Sequence, residues 1–268
     1  MKKFVAMLLA LSLVLAFAGC AKTEAPETTA APETTAAVVE TEAAETEAAV
    51  TVMTHEEFIA AELDTQVTVE TYVQDAQGWW TDDQGVSKAT FYTQAEDGAY
   101  LLYDMPCTEE EYNQLVAGAK IRVTGYKAEW SGEVEITDAT FEILEGSYVA
   151  EALDVTELLG TDELIAHMNE KVSFTGLTVA PSTDANGNEA AFLYNWDGSG
   201  SQGNDLYFNV TVGENTYNFC VESYLRGADS DVYKAVEALQ IGDVINAEGF
   251  LYWYDGANPH ITSVTVAE

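Results

Sequence analysis

Along residues 51–268 the apolar positions fall mostly on a period of two, interrupted by short stretches of helical spacing. Val67, Val69, Thr71 and Val73 alternate with polar neighbours and predict a strand with one buried face. Lys88–Thr93 and Ala99–Met105 predict two more, joined at Asp97-Gly98, a hairpin signal. Trp79-Trp80 and Asp82-Asp83-Gln84-Gly85 read as the loop after the first strand. Two capping boxes, Thr54 with Glu57 and Thr108 with Glu111, each open a short helix. Phe58 and Ile59 form the apolar side of the first. Tyr112, Leu115 and Val116 form that of the second, which Gly118 stops.

The stretch from Gly118 to Leu144 then returns at the end of the chain. Gly118 and Gly125 fall on Gly242 and Gly249, both 124 positions later. Ile121 falls on Ile245 and Tyr126 on Phe250. Each copy reads as a β-hairpin, turning at Ser131-Gly132 and at Asp255-Gly256. In both copies the apolar phase of the second strand slips by one residue, after Ile136 and after Ile261, which predicts a β-bulge. The interior glycines Gly125 and Gly249 fit the same irregularity.

The elements before the second hairpin also repeat those before the first. Thr161–Met168 reads as a short helix and Val172–Val179 as a first strand. Leu206–Val212 and Thr216–Val221 are the next pair, turning at Gly213-Glu214-Asn215. Asp229/Ser230 cap a helix that turns Val232, Val236 and Leu239 inward and ends at Gly242. An insertion, Pro181 to Asn204, follows the first strand; within it Asn186-Gly187 reads as a type I′ turn. Two copies are too few for a solenoid, so the duplication predicts two domains, 51–146 and 147–268.

Three strands, a helix and a two-strand hairpin is the element order of the OB-fold. With Ile121-x-Val123-x-Gly125-Tyr126 and the duplication, the chain resembles the OB-fold domains of exported bacterial lipoproteins. The resemblance implies a mostly β chain of two tandem five-stranded barrels. Each would have a short helix before strand 1 and a helix between strands 3 and 4. It brings no catalytic motif. It also implies where a ligand would sit: on the strand 2–3 face, between the strand 1–2 and strand 4–5 loops. All five Trp fall in those loops, accompanied by Tyr residues. Trp79, Trp80, Tyr194, Trp196, Trp130, Tyr252, Trp253 and Tyr254 are therefore the candidate ligand-binding residues. The alternative reading makes them plugs of the barrel mouths or the contact between domains.

The amino terminus adds an address. Lys2 and Lys3 precede an apolar run from Phe4 to Phe17, shorter than the roughly 20 residues of a membrane span. Phe17-Ala18-Gly19-Cys20 resembles a lipobox, with Phe17 where Leu is usual. The expectation is a signal peptide over 1–20 and a lipid on Cys20, holding the protein to the outer face of a bacterial membrane. Residues 21–50 are rich in Ala, Thr, Glu and Pro and lack aromatics, the composition of a disordered linker.

Charge alters the list of partners. The chain carries 10 Lys plus Arg against 46 Asp plus Glu. Residues 51–146 carry 4 against 20 and residues 147–268 carry 3 against 19, so the excess is spread over both halves. Such a surface repels phosphate backbones, which disfavours nucleic acid as a partner. A glycan or a protein partner is expected instead. The aromatic loops favour the first, giving a non-catalytic binding module for carbohydrate or another small polar ligand; a structural adaptor is the alternative. No cofactor is expected. His55, His167 and His260 fall in no metal or triad motif, and Asp184–Glu189 misses the EF-hand spacing. Cys107 and Cys220 occupy unmatched positions and read as separate thiols rather than a bridge.

Overall fold

The computed structural model describes residues 50–267. The signal segment with Cys20, and the linker up to residue 49, lie outside the described residues. The rest builds two closed five-stranded barrels. The first is made of β1 (Gln66–Ala76), β2 (Ser87–Ala95), β3 (Gly98–Pro106), β4 (Ala119–Trp130) and β5 (Glu133–Ser147). Their order around the barrel is β1-β4-β5-β3-β2, closed by β1 pairing with β2. The contact of β3 with β5 is parallel and the others are antiparallel. The second barrel repeats this with β6 (Lys171–Ala180), β7 (Leu206–Val212), β8 (Asn215–Val221), β9 (Val244–Phe250) and β10 (His260–Val266). Its parallel contact is the pair Cys220 and His260.

Alternation explains the interiors. Val67, Val69, Thr71 and Val73 are all buried, and Phe58 from helix α1 (His55–Ala60) fills one end of the first barrel. Thr54 caps α1 through a complete capping box, its hydroxyl taking the Glu57 N–H. Helix α2 (Glu109–Tyr112) opens on the same device at Thr108, and α3 (Asp231–Glu237) on a simple cap, the Ser230 hydroxyl accepting from Tyr233 N. The second core is built around Phe174, Phe208, Phe219 and Tyr233.

The expected bulges are present, with a steric reason for their glycines. In the first barrel the register of β4 on β5 slips between Thr124 and Tyr126, leaving Asp138 over at φ 48°. A Cβ on Gly125 would come 2.7 Å from the Thr137 carbonyl oxygen. In the second barrel the slip lies between Glu248 and Gly249, where a Cβ would come 2.1 Å from the His260 carbonyl oxygen. The bulged strand presses on its neighbour, and only glycine leaves room.

Several local expectations need correction. The stretch Thr161–Met168 is not an α-helix; its regular part is a 3-10 turn at Leu164–His167. The Thr161 hydroxyl donates to the Leu158 carbonyl, and the turn has no side-chain cap at its start. Ile59 and Val116 face outward, Val116 being 60% exposed, because α1 and α2 are too short to present a second apolar row. The turn at Asn186-Gly187 is not type I′, since only Gly187 is left-handed. The Asp184 carboxylate holds it by accepting from Asn186 N and Asn188 N. The second hairpin is not tight: residues 251–259 form a loop pinned by a Trp253–Ala257 bridge. Cys107 and Cys220 are free buried thiols.

The barrels are packed on one another. Tyr92, Leu101, Leu225 and Phe250 form a small apolar core of their own, with the Tyr92 and Phe250 rings stacked at 4.6 Å. Polar clasps surround it. Lys171 N donates to Gln94 Oε1 at 2.8 Å, Trp253 N to Glu133 Oε2 at 2.8 Å, and Gly78 N to the Tyr224 carbonyl at 2.9 Å. Arg226 pairs with Asp75.

Candidate functional site

The packing brings the same face of each barrel to one place. In the first, the side chains come from the β1–β2 connection (Gln77 to Trp80), from β2 and β3 (Thr90, Tyr92, Leu101, Tyr103) and from the end of β4 (Trp130). In the second, they come from the insertion (Trp196), from β7 and β8 (Tyr207, Asn218, Cys220) and from the β9–β10 loop (Tyr252, Tyr254, Asn258). Each set is the strand 2–3 face of an OB barrel between its two ligand loops. Facing each other, they enclose a groove of about 1170 Å³.

The groove floor is built of buried and stacked rings. Tyr92 and His260 are buried and meet at 2.6 Å, hydroxyl to Nδ1. Burial pushes the His260 imidazole down to about 3, so it is uncharged at neutral pH. Burial likewise pushes the Tyr92 phenol well up. Tyr252 stacks on His260 at 4.1 Å. Glu222 lies beside them, and burial raises its carboxyl to about 7 against the N–H groups of Tyr224 and Leu225. Its oxygens accept from those two amides and from Gln77 Nε2 across the interface.

The rim carries the exposed rings. Trp196 is 77% exposed, Tyr224 74% and Trp130 62%; Trp80, Tyr103 and Tyr254 are also exposed. Lys88 covers one face of Trp80 at 4.6 Å and is held there by Asp82 and Asp104, at 3.3 and 3.2 Å. Among the described residues that line the groove there is neither Lys nor Arg, whereas Asp104, Asp205 and Glu222 all do.

Six of the eight candidates from the sequence meet in this groove: Trp79, Trp80, Trp130, Trp196, Tyr252 and Tyr254. Trp79 does so from a half-buried position, its Nε1 donating to the Cys107 carbonyl at 3.0 Å. Tyr194 and Trp253 lie elsewhere. Tyr194 packs on the second core and donates its hydroxyl to Glu237 at 2.6 Å. Trp253 is half-buried against the same core and against Gly132 of the other barrel, where a Cβ would come 2.9 Å from its Cδ1. It clasps the barrels together. The sequence reading did not single out Tyr92, Tyr103, Tyr207 or Tyr224. A signal existed for Tyr92: β2 reads Ala89-Thr90-Phe91-Tyr92-Thr93, too poor in charge for a strand with one face in water, and all five are buried.

No family model and no curated protein matches the chain. Solved structures do. A murine DNA-binding protein bound with double-stranded DNA is 10% identical, the match covering 75% of this chain and 96% of that one at a TM-score of 0.36. The HINa domain of Ifi202 in complex with a 20-bp duplex is 12% identical, with 76% and 96% covered and a TM-score of 0.31. A replication protein A heterotrimer bound to single-stranded DNA is 9% identical, with 76% and 49% covered and a TM-score of 0.29. At this distance the likeness is one of fold, and no residue role passes from those proteins to this chain. It corrects the expectation of an extracytoplasmic carbohydrate-binding module with nucleic acid set aside. All three are described as bound with DNA and none of them with a carbohydrate.

Proposed function

We propose that residues 50–267 form a non-catalytic binding module that holds nucleobases of a single strand in the groove between the barrels. The observation that carries the reading is the convergence of exposed aromatic rings from both barrels on one groove. A base presents a flat π-face whatever its sequence, and stacking on Trp or Tyr contributes about 1–3 kcal/mol per base. Rings from two barrels can hold successive bases of a strand that is not paired; a duplex would keep those faces covered. The lining has no cation for the phosphates, so binding rests on rings rather than on counterion release.

The test is a fluorescence titration of the protein with a short single-stranded oligonucleotide. The expected result is quenching of Trp emission, with an affinity that changes little between 50 and about 200 mM salt, unlike the steep decline of a phosphate-binding groove. Absence of quenching by any single strand overturns the reading. A steep salt slope shows that phosphates are held elsewhere and overturns it as well.

From the amino-terminal sequence alone we also propose that Cys20 is lipidated and tethers the module to a membrane surface. Support comes from the charged start, the apolar run and the Gly19-Cys20 pair. Cys20→Ala should move the protein from the membrane to the soluble fraction; an unchanged distribution contradicts the tether.

A further inference from the structure

Resting on the base-stacking reading, we infer that the groove selects bases bearing an exocyclic amino group and that the Asp205 carboxylate is the acceptor that reads it. Each amide of the lining already places one of its two N–H groups within the protein. Gln77 Nε2 donates to Glu222, Asn218 Nδ2 to Asn209, and Asn258 Nδ2 to Asn218. Trp79 Nε1 is spent on Cys107.

The three carboxylates of the lining differ in what they have left. Both oxygens of Glu222 already accept from protein N–H groups. Asp104 is neutralised by Lys88, whose Nζ lies 3.2 Å from its Oδ2. Asp205 is held through one oxygen only: Oδ1 accepts from Ser223 N at 2.9 Å and from Ser223 Oγ at 2.6 Å. Among the described residues no group donates to its Oδ2. Two donors on one oxygen fix the plane of the carboxylate, and the residue stands in the wall of the groove with the lone pairs of its second oxygen uncommitted. A group positioned in advance and left unsatisfied is how a site distinguishes ligands by hydrogen bonding.

The consequence is a sign of preference. A carboxylate oxygen accepts from an amino group and repels a carbonyl oxygen. Cytosine and adenine present an amino group on the Watson–Crick edge where uracil and hypoxanthine present a carbonyl. The pairs have nearly the same stacking area, so the edge alone separates them. Asp205→Asn can keep its oxygen on Ser223 and turn an NH₂ towards the groove, which reverses the preference rather than abolishing it.

The experiment titrates the protein with cytidine against uridine and with adenosine against inosine, following Trp emission. The amino-bearing member of each pair should bind roughly tenfold tighter, the discrimination of one charge-assisted hydrogen bond. Asp205→Asn should erase or invert that ratio. Ser223→Ala, which removes one of the two donors that hold the carboxylate, should reduce the ratio without inverting it. Because the comparison within each pair needs no variant, it stands even if Asp205→Asn does not fold. Equal binding of both members overturns the inference and leaves the base-stacking reading intact. Binding of all four with a ratio that Asp205→Asn does not change, in a folded variant, also overturns the assignment to Asp205. No quenching by any of the four overturns the stacking reading, and the inference with it.

Discussion

At the scale of single residues the interface holds a carboxyl group whose protonation bears on stability. Glu133 is fully buried between the barrels, 0% exposed. Its Oε2 accepts the Trp253 N–H, while its Oε1 and the Oδ1 of neighbouring Asn169 find no partner. A buried carboxyl with one oxygen unpartnered favours its protonated, uncharged form. Burial raises its carboxyl to about 8, opposed by contacts with Asn169 and Trp253. An acid raised in the folded state contributes its full stabilisation below the unfolded value near 4.5. It loses that contribution as pH climbs through about 8. Glu133→Gln, neutral throughout, should therefore gain on the parent as pH rises from 5 to 8.5, by on the order of a few kcal/mol. Urea melts at the two pH values check this; a difference independent of pH contradicts it. The two Trp of the hairpin loops offer a second contrast. Trp130→Ala, at an exposed rim position, should cost well under 1 kcal/mol. Trp253→Ala, at the clasp, should cost about 2 kcal/mol or more. Equal losses in a denaturant melt contradict the division of roles.

At the scale of elements, the hairpin with its bulge is the unit that was duplicated, and its glycine is the point of least tolerance. Gly249→Ala should destabilise by about 1–3 kcal/mol, the cost of forcing a methyl group against a carbonyl, measurable as a shift in the urea midpoint. The corresponding change at Gly256 meets no neighbouring atom, so any loss there reflects its φ of 146° alone. Elements of this kind were legible in the sequence because they follow from local rules: two-residue alternation, a capping box, a phase slip repeated in both copies. What was not legible depended on distant partners. Nothing near Thr161 announces that its hydroxyl turns back to Leu158 and leaves the turn uncapped. Trp130 and Trp253 look equivalent along the chain. Gly132 opens a slot for the second, and the β4–β5 turn leaves the first in solvent. The groove was half legible. Its loops could be named from the element order, but the facing of the two barrels could not, because it rests on the outward sides of β2, β3 and β9.

At the scale of the molecule, two barrels act as one body through the cluster of Tyr92, Leu101, Leu225 and Phe250 and the clasps around it. Thermal unfolding of the protein should show one transition. Leu225→Asp, which places a charge in that cluster, should split or broaden it; a single unchanged transition contradicts the shared core. The same packing makes the groove, since neither strand 2–3 face encloses it alone. The measurement that tests this most directly is photo-crosslinking with a single-stranded oligonucleotide carrying 5-iodocytosine, followed by mass mapping of the adducts. Adducts are expected at exposed rings of both barrels, Trp80, Tyr103 or Trp130 on one side and Trp196, Tyr224 or Tyr254 on the other. Adducts confined to the outer surfaces away from these rings, or none at saturating oligonucleotide, would contradict it.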